Sequence, residues 1–272
     1  MNQRILWGML YWMLASGISS PAWSQDLSVE EIVERSNRVA YYQGASGRSQ
    51  ISMVIRDKQG QERTREFTIL RWNAPGEVEG MDPCGDQKFY VYFQRPADVN
   101  KMAFLVWKHL KKEDDRWLYL PALDLVKRIS SADKRTSFAG SDFFYEDVSG
   151  RNIEEDVHEL LETNETFYVL KNTPKDPAGV EFSYYKMWVH KDTFVTVQVE
   201  FFDKKGDLYR QYNATKVEDV QGFKTVTQAS MKDLRTGGET INEYRDVQYD
   251  IEIPEDIFTE RYLRRAPTRY LR

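Results

Sequence analysis

The 272-residue chain carries 38 Lys and Arg against 43 Asp and Glu, a formal charge of −5. This mild acidity argues against a nucleic-acid-binding protein, which shows a basic excess. A charged fraction of 30% beside an aromatic fraction of 14% excludes disorder, which goes with few aromatics, and indicates a sheet protein with a polar outside and a bulky aromatic inside.

Residues 1–24 read as an export signal. Arg4 supplies a positive start, Ile5 to Ile18 an apolar stretch, and Ala22-Trp23-Ser24 a small-x-small cleavage site, so that the folded chain begins near Gln25. The alternative is a short membrane anchor, but the stretch falls short of the ~20 residues of a span. No cysteine follows the site, which excludes the usual lipid-anchored lipoprotein. Cys84 is the only cysteine of the chain. No intramolecular disulfide braces the fold, and the thiol either pairs with another chain or is simply tolerated.

A helix comes next. Ser28 with Glu31 forms a capping box and Leu27 with Ile32 a hydrophobic staple. Val29, Ile32, Val33, Ser36, Val39 and Ala40 recur at helical spacing, and Gly44 and Gly47 end the segment. Strand alternation then takes over. It runs through Ile51, Met53 and Ile55, a turn at Asp57–Gly60, then Phe67 and Ile69. After a loop rich in Pro and Gly come Phe89, Val91 and Phe93, then Met102, Phe104 and Val106, Trp117 and Tyr119, and a short strand from Leu125 to Ile129. The second half repeats the style. A strand ends near Leu170, and Phe182 to His190 is apolar on both faces. Val195, Val197, Val199 and Phe201 alternate with polar neighbours, and three further strands fill 208–217, 223–234 and 239–251. Pro254-Glu255-Asp256 caps a short terminal helix or turn containing Ile257, Phe258 and Leu263.

The pattern predicts a mainly β chain with a few helices, one domain over 25–272, and ten or eleven strands in a strongly curved antiparallel sheet, since large flat sheets are rare. Tyr90–Phe93 and Phe104–Trp107 are apolar on both faces, so both sides of those strands need cover. Helices or loops would provide it on one side, and a ligand cavity part of the rest.

Catalytic motifs are lacking. His109, His158 and His190 lie far apart and form no metal pattern, and no cofactor motif occurs. Gly44-Ala45-Ser46-Gly47 lacks nucleophile-elbow spacing. Glu113-Asp114-Asp115 and Glu154-Glu155-Asp156 read as solvated loop charge. The absence of any catalytic motif predicts that the protein is not an enzyme. Two basic clusters stand out: Lys127, Arg128, Lys134 and Arg135 around one turn, and the five arginines after Glu260. They are either solubility charge or a docking surface for an acidic partner or anionic headgroups, with Arg128, Lys134 and Arg135 as the partner-binding candidates.

The stretch Trp117–Val148 carries a family likeness. Trp117-Leu118-Tyr119-Leu120-Pro121, Arg128-Ile129 and Ser137-Phe138-Ala139-Gly140-Ser141-Asp142-Phe143 resemble the LolA-like family of outer-membrane lipoprotein-sorting proteins. Arg95–Val99, Ala103–Val106 and Phe258–Leu263 resemble flanking parts of the same pattern. The resemblance implies an incomplete β-barrel with helices and a loop covering its concave face. It implies a periplasmic carrier for a lipid, a lipoprotein acyl chain or another hydrophobic molecule, without a cofactor. The partners it implies are an inner-membrane transporter of the resistance-nodulation-division type or an outer-membrane acceptor.

The lining expected for such a cavity is Met53, Ile55, Phe67, Ile69, Val91, Phe93, Phe104, Val106, Trp117, Tyr119, Val197 and Val199, with Phe138, Phe143 and Phe144 as a plug or lid. The alternative from another class is a periplasmic sensor or adaptor that binds a transporter or regulator through its basic patches.

Overall fold

The computed structural model describes residues 27–75 and 85–272; the expected export signal and Cys84 lie outside them. The first helix, α1 (Val29–Tyr41), starts where expected. Ser28 Oγ accepts from the Glu31 amide at 3.1 Å, while the Glu31 carboxylate turns to Arg35 instead of closing the box. Ile32, Val33 and Ser36 face inward.

Strands β1 (Ser46–Arg56), β2 (Glu62–Asn73), β3 (Gln87–Arg95), β4 (Ala103–Lys108), β5 (Asp115–Leu120) and β6 (Leu125–Arg128) form one antiparallel meander. A second meander contains β7 (Asp156–Thr163), β8 (Phe167–Pro174), β9 (Phe182–His190), β10 (Thr196–Asp203), β11 (Leu208–Val220), β12 (Phe223–Asp233) and β13 (Gly238–Tyr249). β13 pairs with β1, which joins the meanders into one 13-stranded sheet with β6 at one edge and β7 at the other. These edges do not pair, so the sheet is an incomplete barrel. The charged edge strand β7 was not expected, because its sequence lacks a continuous apolar face.

This strand order has a topological consequence. The first meander runs from the centre to one edge, and the second starts at the opposite edge and returns. Residues 129–155 therefore have to connect the two edges. They do so along the concave side, where Ile129, Phe138 and Phe143 join the core of β1–β5. This segment contains the short helix α2 (Tyr145–Ser149).

The two apolar faces of β3 and β4 are accounted for by chain on both sides. Phe89, Val91, Phe93, Phe104 and Val106 pack on the concave side beneath the crossing segment. Tyr90, Ala103, Leu105 and Trp117 face the other way, against Ile253, Ile257, Phe258, Leu263 and Leu271 of the C-terminal segment, which includes helix α3 (Arg261–Arg264). Trp107 Nε1 donates to the Phe258 carbonyl (2.7 Å) and Tyr90 Oη to that of Tyr262 (2.8 Å), which satisfies polar groups that burial would otherwise penalise. A cavity is not needed to explain these strands.

The C-terminal segment is thus an apolar strap. Phe258, completely buried, is its central anchor. Phe258→Ala is expected to lower the unfolding free energy by about 3–5 kcal/mol, read by chemical denaturation. A loss below about 1 kcal/mol, the scale of a typical surface change, would show that the strap contributes little.

Candidate functional site

The concave face is unevenly filled. Beneath β2–β4, Phe138 of the crossing segment is wedged among Phe67, Phe93 and Phe104, with ring centroids 5.6–6.0 Å apart, and Tyr145 packs 5.1 Å from Phe104. On the other side, toward β8–β13 and beneath α1, lies a cavity of about 430 Å³, within the range of small-molecule sites. The helix α1 roofs it, touching β7 on one side and β12 on the other.

The register explains the walls. On β1, Ser49, Ile51 and Met53 point inward beside Phe67 and Ile69 of β2. Across the β1–β13 seam, Met53 lies opposite Asn242 and Ile51 opposite Tyr244. Further round, Met231 lies opposite Tyr212, Tyr212 opposite Val199, and Val199 opposite Met187. Methionines and valines in such a wall adapt to an occupant more readily than a fixed aromatic stack.

Of the sequence-based lining candidates, Met53, Phe67, Ile69, Phe138, Phe143 and Val199 border the cavity. Ile55, Val91, Phe93, Phe104 and Val106 face the same side but belong to the filled part. Trp117 and Tyr119 are on the opposite face, because Phe104 pairs with Leu118 and thereby turns Leu118 and Leu120 inward. Val197 is displaced by an irregularity between Thr196 and Gln198, so that Val195 and Thr196 border the cavity in its place. Phe144 does not border the cavity; it lies under the Arg210 guanidinium, 3.9 Å from its ring centre. Sequence reading missed α1 itself as a wall, and with it Tyr41, Tyr212, Tyr244 and Asn242.

The crossing segment is fastened by buried charge. Glu146, 2% exposed, meets Lys134 at 3.0 Å, Arg135, and Arg151 at 3.6 Å. Arg135 also forks onto Glu181, both contacts at 2.7 Å, and Tyr209 donates to the same carboxylate. Arg151 holds Asp156 at 2.9 Å and Glu155 at 2.6 Å. Arg210 donates to the Asp142 carbonyl at 2.9 Å and to the Asp147 carboxylate. Lys108 donates to the carbonyls of Ser149 (2.6 Å) and Gly150 (3.1 Å) at the end of α2, and burial lowers its pKa to about 8.

Lys134 and Arg135 are therefore internal fasteners and not part of a docking surface. Arg128 is exposed and paired with Asp115. Asp156, expected in a solvated loop, is buried at the start of β7. Among the described residues no group of three or more His, Cys, Asp or Glu is placed to hold a metal, and no helix is long and apolar enough to cross a membrane.

The roof is held mainly at one end. Arg71 donates to the carbonyls of Tyr41 and Gln43, and Gln87 Nε2 to that of Tyr41 at 2.7 Å. Burial lowers the Arg71 pKa to about 10. Toward its start, α1 rests on Leu170 and Val189 through Ile32 and Val33, and the Ser36 and Thr196 hydroxyls meet at 2.7 Å.

The ion-pair arrangement has a pH signature. Burial opposes ionisation of Glu146, but Arg135, Lys134 and Arg151 outweigh it and hold its pKa near 2 instead of the ordinary 4.5. Its stabilising contribution is complete above about pH 4.5 and disappears as the pH falls through about 2. Glu146→Gln leaves three cations without their shared anion and is expected to cost about 3–5 kcal/mol. It should also flatten the decline of stability between those pH values in urea titrations. An unchanged acid limb would exclude Glu146 as the fastener.

Comparison with known proteins yields a consistent relationship. A family model described as that of an uncharacterized protein matches residues 85–265. No curated protein matches the sequence. Among solved structures, a DUF1329 family protein from Desulfovibrio piger is 29% identical, with 86% of this chain and 98% of that chain covered and a TM-score of 0.75. A putative outer membrane lipoprotein-sorting protein domain from Vibrio parahaemolyticus is also 29% identical, over 86% and 97% of the two chains, with a TM-score of 0.75. A LolA superfamily protein from Nitrosomonas europaea shares the fold at 20% identity, over 87% and 100% of the chains, with a TM-score of 0.65. The chain belongs to the DUF1329 family, whose incomplete barrel is LolA-like.

Proposed function

We propose that this protein is a periplasmic carrier that holds a lipid, an acyl chain or another hydrophobic molecule in the cavity beneath α1, without covalent chemistry. Residues 1–24 act as its export signal and 25–272 as the carrying unit. The observation that carries this reading is the hollow of about 430 Å³ between a roofing helix and a wall in which Met, Val, Ile and Phe side chains stand beside the ion-paired Arg135, Glu146, Asp147 and Arg151. The lipoprotein-sorting description of the Vibrio relative supports it. Each methylene withdrawn from water contributes about 0.8 kcal/mol, so a few turns of chain in contact with such a wall give useful affinity.

Loading proceeds by movement of α1 and not of the crossing segment. Buried ion pairs hold residues 134–151, whereas the start of α1 rests on an apolar cluster around Ile32 and Val33, on Arg35 over the Phe194 ring and on one hydroxyl pair, with no buried ion pair. The helix swings about its C-terminal end, where Arg71 and Gln87 hold it. Hand-off would be to an inner-membrane transporter of the resistance-nodulation-division type or an outer-membrane acceptor. The sensor or adaptor alternative loses its main support, because two of its three basic residues are buried in ion pairs.

A disulfide across Ser36→Cys and Thr196→Cys, in a Cys84→Ser background, ties the roof to β10. Oxidation is expected to abolish uptake of a fluorescent fatty acid and reduction to restore it. Val199→Trp, which fills the hollow, should abolish uptake in either redox state. Full uptake by the Trp variant would overturn the carrier reading. Full uptake by the oxidised protein alone would overturn only the role of α1.

A further inference from the structure

The turn between β5 and β6 carries apolar side chains on the outside of the molecule. Leu123 is 70% exposed and Leu125 45%, and Ala122 is exposed as well. Leucines scattered singly over a surface are ordinary, but these two share one turn at the edge of the sheet. The turn is also fixed in place. A one-turn 3-10 helix over Pro121–Leu123 opens it, and Asp124 closes it in a left-handed conformation (φ 44°). The C-terminal strap holds it there: Arg264 of α3 donates from Nε to Asp124 Oδ1 at 3.0 Å and from Nη2 to the Asp124 carbonyl at 3.2 Å. The leucines are thus presented rigidly, next to the end of the chain.

What surrounds them is basic. Arg261 stands three residues before Arg264 on α3, hence beside it, and Arg265, Arg269 and Arg272 follow, all exposed. No Asp or Glu occurs after Glu260, in a chain whose overall charge is −5. Lys127 and Arg128 of β6 are exposed beyond the same turn. Arg264 and Arg128 are neutralised by Asp124 and Asp115, whereas Lys127, Arg261, Arg265 and Arg269 form no ion pair among the described residues. Partly exposed tyrosines lie under several of the guanidinium groups: Tyr119 under Arg264 at 5.7 Å, Tyr262 under Arg261 at 5.9 Å and Tyr270 under Arg269 at 5.5 Å.

An apolar apex, tyrosines behind it and unpaired cations around it match the layers of a membrane surface. Apolar side chains enter the acyl boundary, tyrosines sit at headgroup level, and Lys and Arg meet the lipid phosphates. An acidic protein would balance the cations but would also need a groove shaped to the leucines, whereas a bilayer takes them without one. We infer that this edge of the sheet docks on an anionic lipid bilayer, with Leu123 and Leu125 entering its surface and Lys127, Arg261, Arg264 and Arg265 facing its headgroups. None of these residues borders the cavity beneath α1, so the inference goes beyond the carrier reading and does not depend on it.

The test is co-sedimentation of the whole protein with vesicles of phosphatidylcholine containing about one third phosphatidylglycerol, against phosphatidylcholine alone. The mixed vesicles are expected to bind at least about tenfold more tightly, and added salt should narrow the difference. Arg261→Gln with Arg265→Gln should weaken binding to them about tenfold or more, since each cation near the surface is worth roughly fivefold. Lys111→Gln with Lys112→Gln removes the same charge at the other end of β5 and should leave binding unchanged. Insertion is read with an environment-sensitive NBD fluorophore on Leu123→Cys in a Cys84→Ser background, whose emission should move to the blue on mixed vesicles, while the same fluorophore on Lys112→Cys should not respond. No binding to mixed vesicles, the result expected if the patch serves an acidic protein instead, overturns the inference. So does equal binding to both vesicles, binding that the arginine pair does not weaken, or binding in which the fluorophore at 123 stays in water.

Discussion

One buried carboxylate organises the molecule. Glu146 sits among Lys134, Arg135 and Arg151, and all four belong to the segment that connects the two edges of an unclosed sheet. Strand order alone demands such a connection, because β6 and β7 lie at opposite edges. It does not demand that the connection be drawn tightly against the concave face. Arg135 forking onto Glu181, and Arg151 onto Asp156, tie the segment to the residue just before β9 and to the start of β7, and Arg210 ties it to β11. With the segment fixed, Phe138 is driven among Phe67, Phe93 and Phe104, and one part of the barrel is filled. The other part remains hollow between α1 and the near side of the crossing segment.

Fastening by ions has a different consequence from fastening by grease. A buried ion pair adds little net stability over well-packed apolar side chains of similar size, yet breaking one partner is costly. The crossing segment is therefore held in one place without enlarging the apolar surface that a ligand would share. The fill beneath β2–β4 is aromatic and interlocked, whereas the open wall relies on Met53, Met187, Met231 and Val199. A stiff half and an adaptable half thus coexist on one concave face, and the ion pairs mark the border.

The curved antiparallel sheet, the opening helix with its Ser28 cap and the inward alternation of β1 to β4 were legible from period and turn chemistry, because each is a local property of the chain. Trp117 and Tyr119 were not, since Trp-Leu-Tyr-Leu is apolar on both faces and only the pairing of Phe104 with Leu118 decides which pair looks inward. Val197 was misjudged because a single register irregularity beside Thr196 shifts the alternation. Lys134 and Arg135 read as free surface charge because the counter-ions that bury them are remote in sequence; Glu181 lies 46 residues from Arg135. The polar groups of the cavity wall were invisible for a related reason: Tyr212 on β11 and Tyr244 and Asn242 on β13 look like ordinary strand residues until the sheet turns them toward the hollow.

A carrier has to let go. Ten methylenes fully withdrawn from water amount to about 8 kcal/mol, and a sealed sleeve would release such a cargo slowly, since affinity is adjusted mostly through dissociation. The architecture offers a way round this without weakening the fold. The strap on the convex side and the ion pairs on the concave side stabilise the sheet independently of α1, whose start is held by the cluster around Ile32 and Val33, by Arg35 over Phe194 and by one hydroxyl pair. Lifting that end exposes Ile32 and Val33 and leaves the ion pairs of the crossing segment intact. Under the proposed carrier role, grip and release would fall to different contacts: the adaptable wall would hold the guest, and the helix α1 would decide when it leaves.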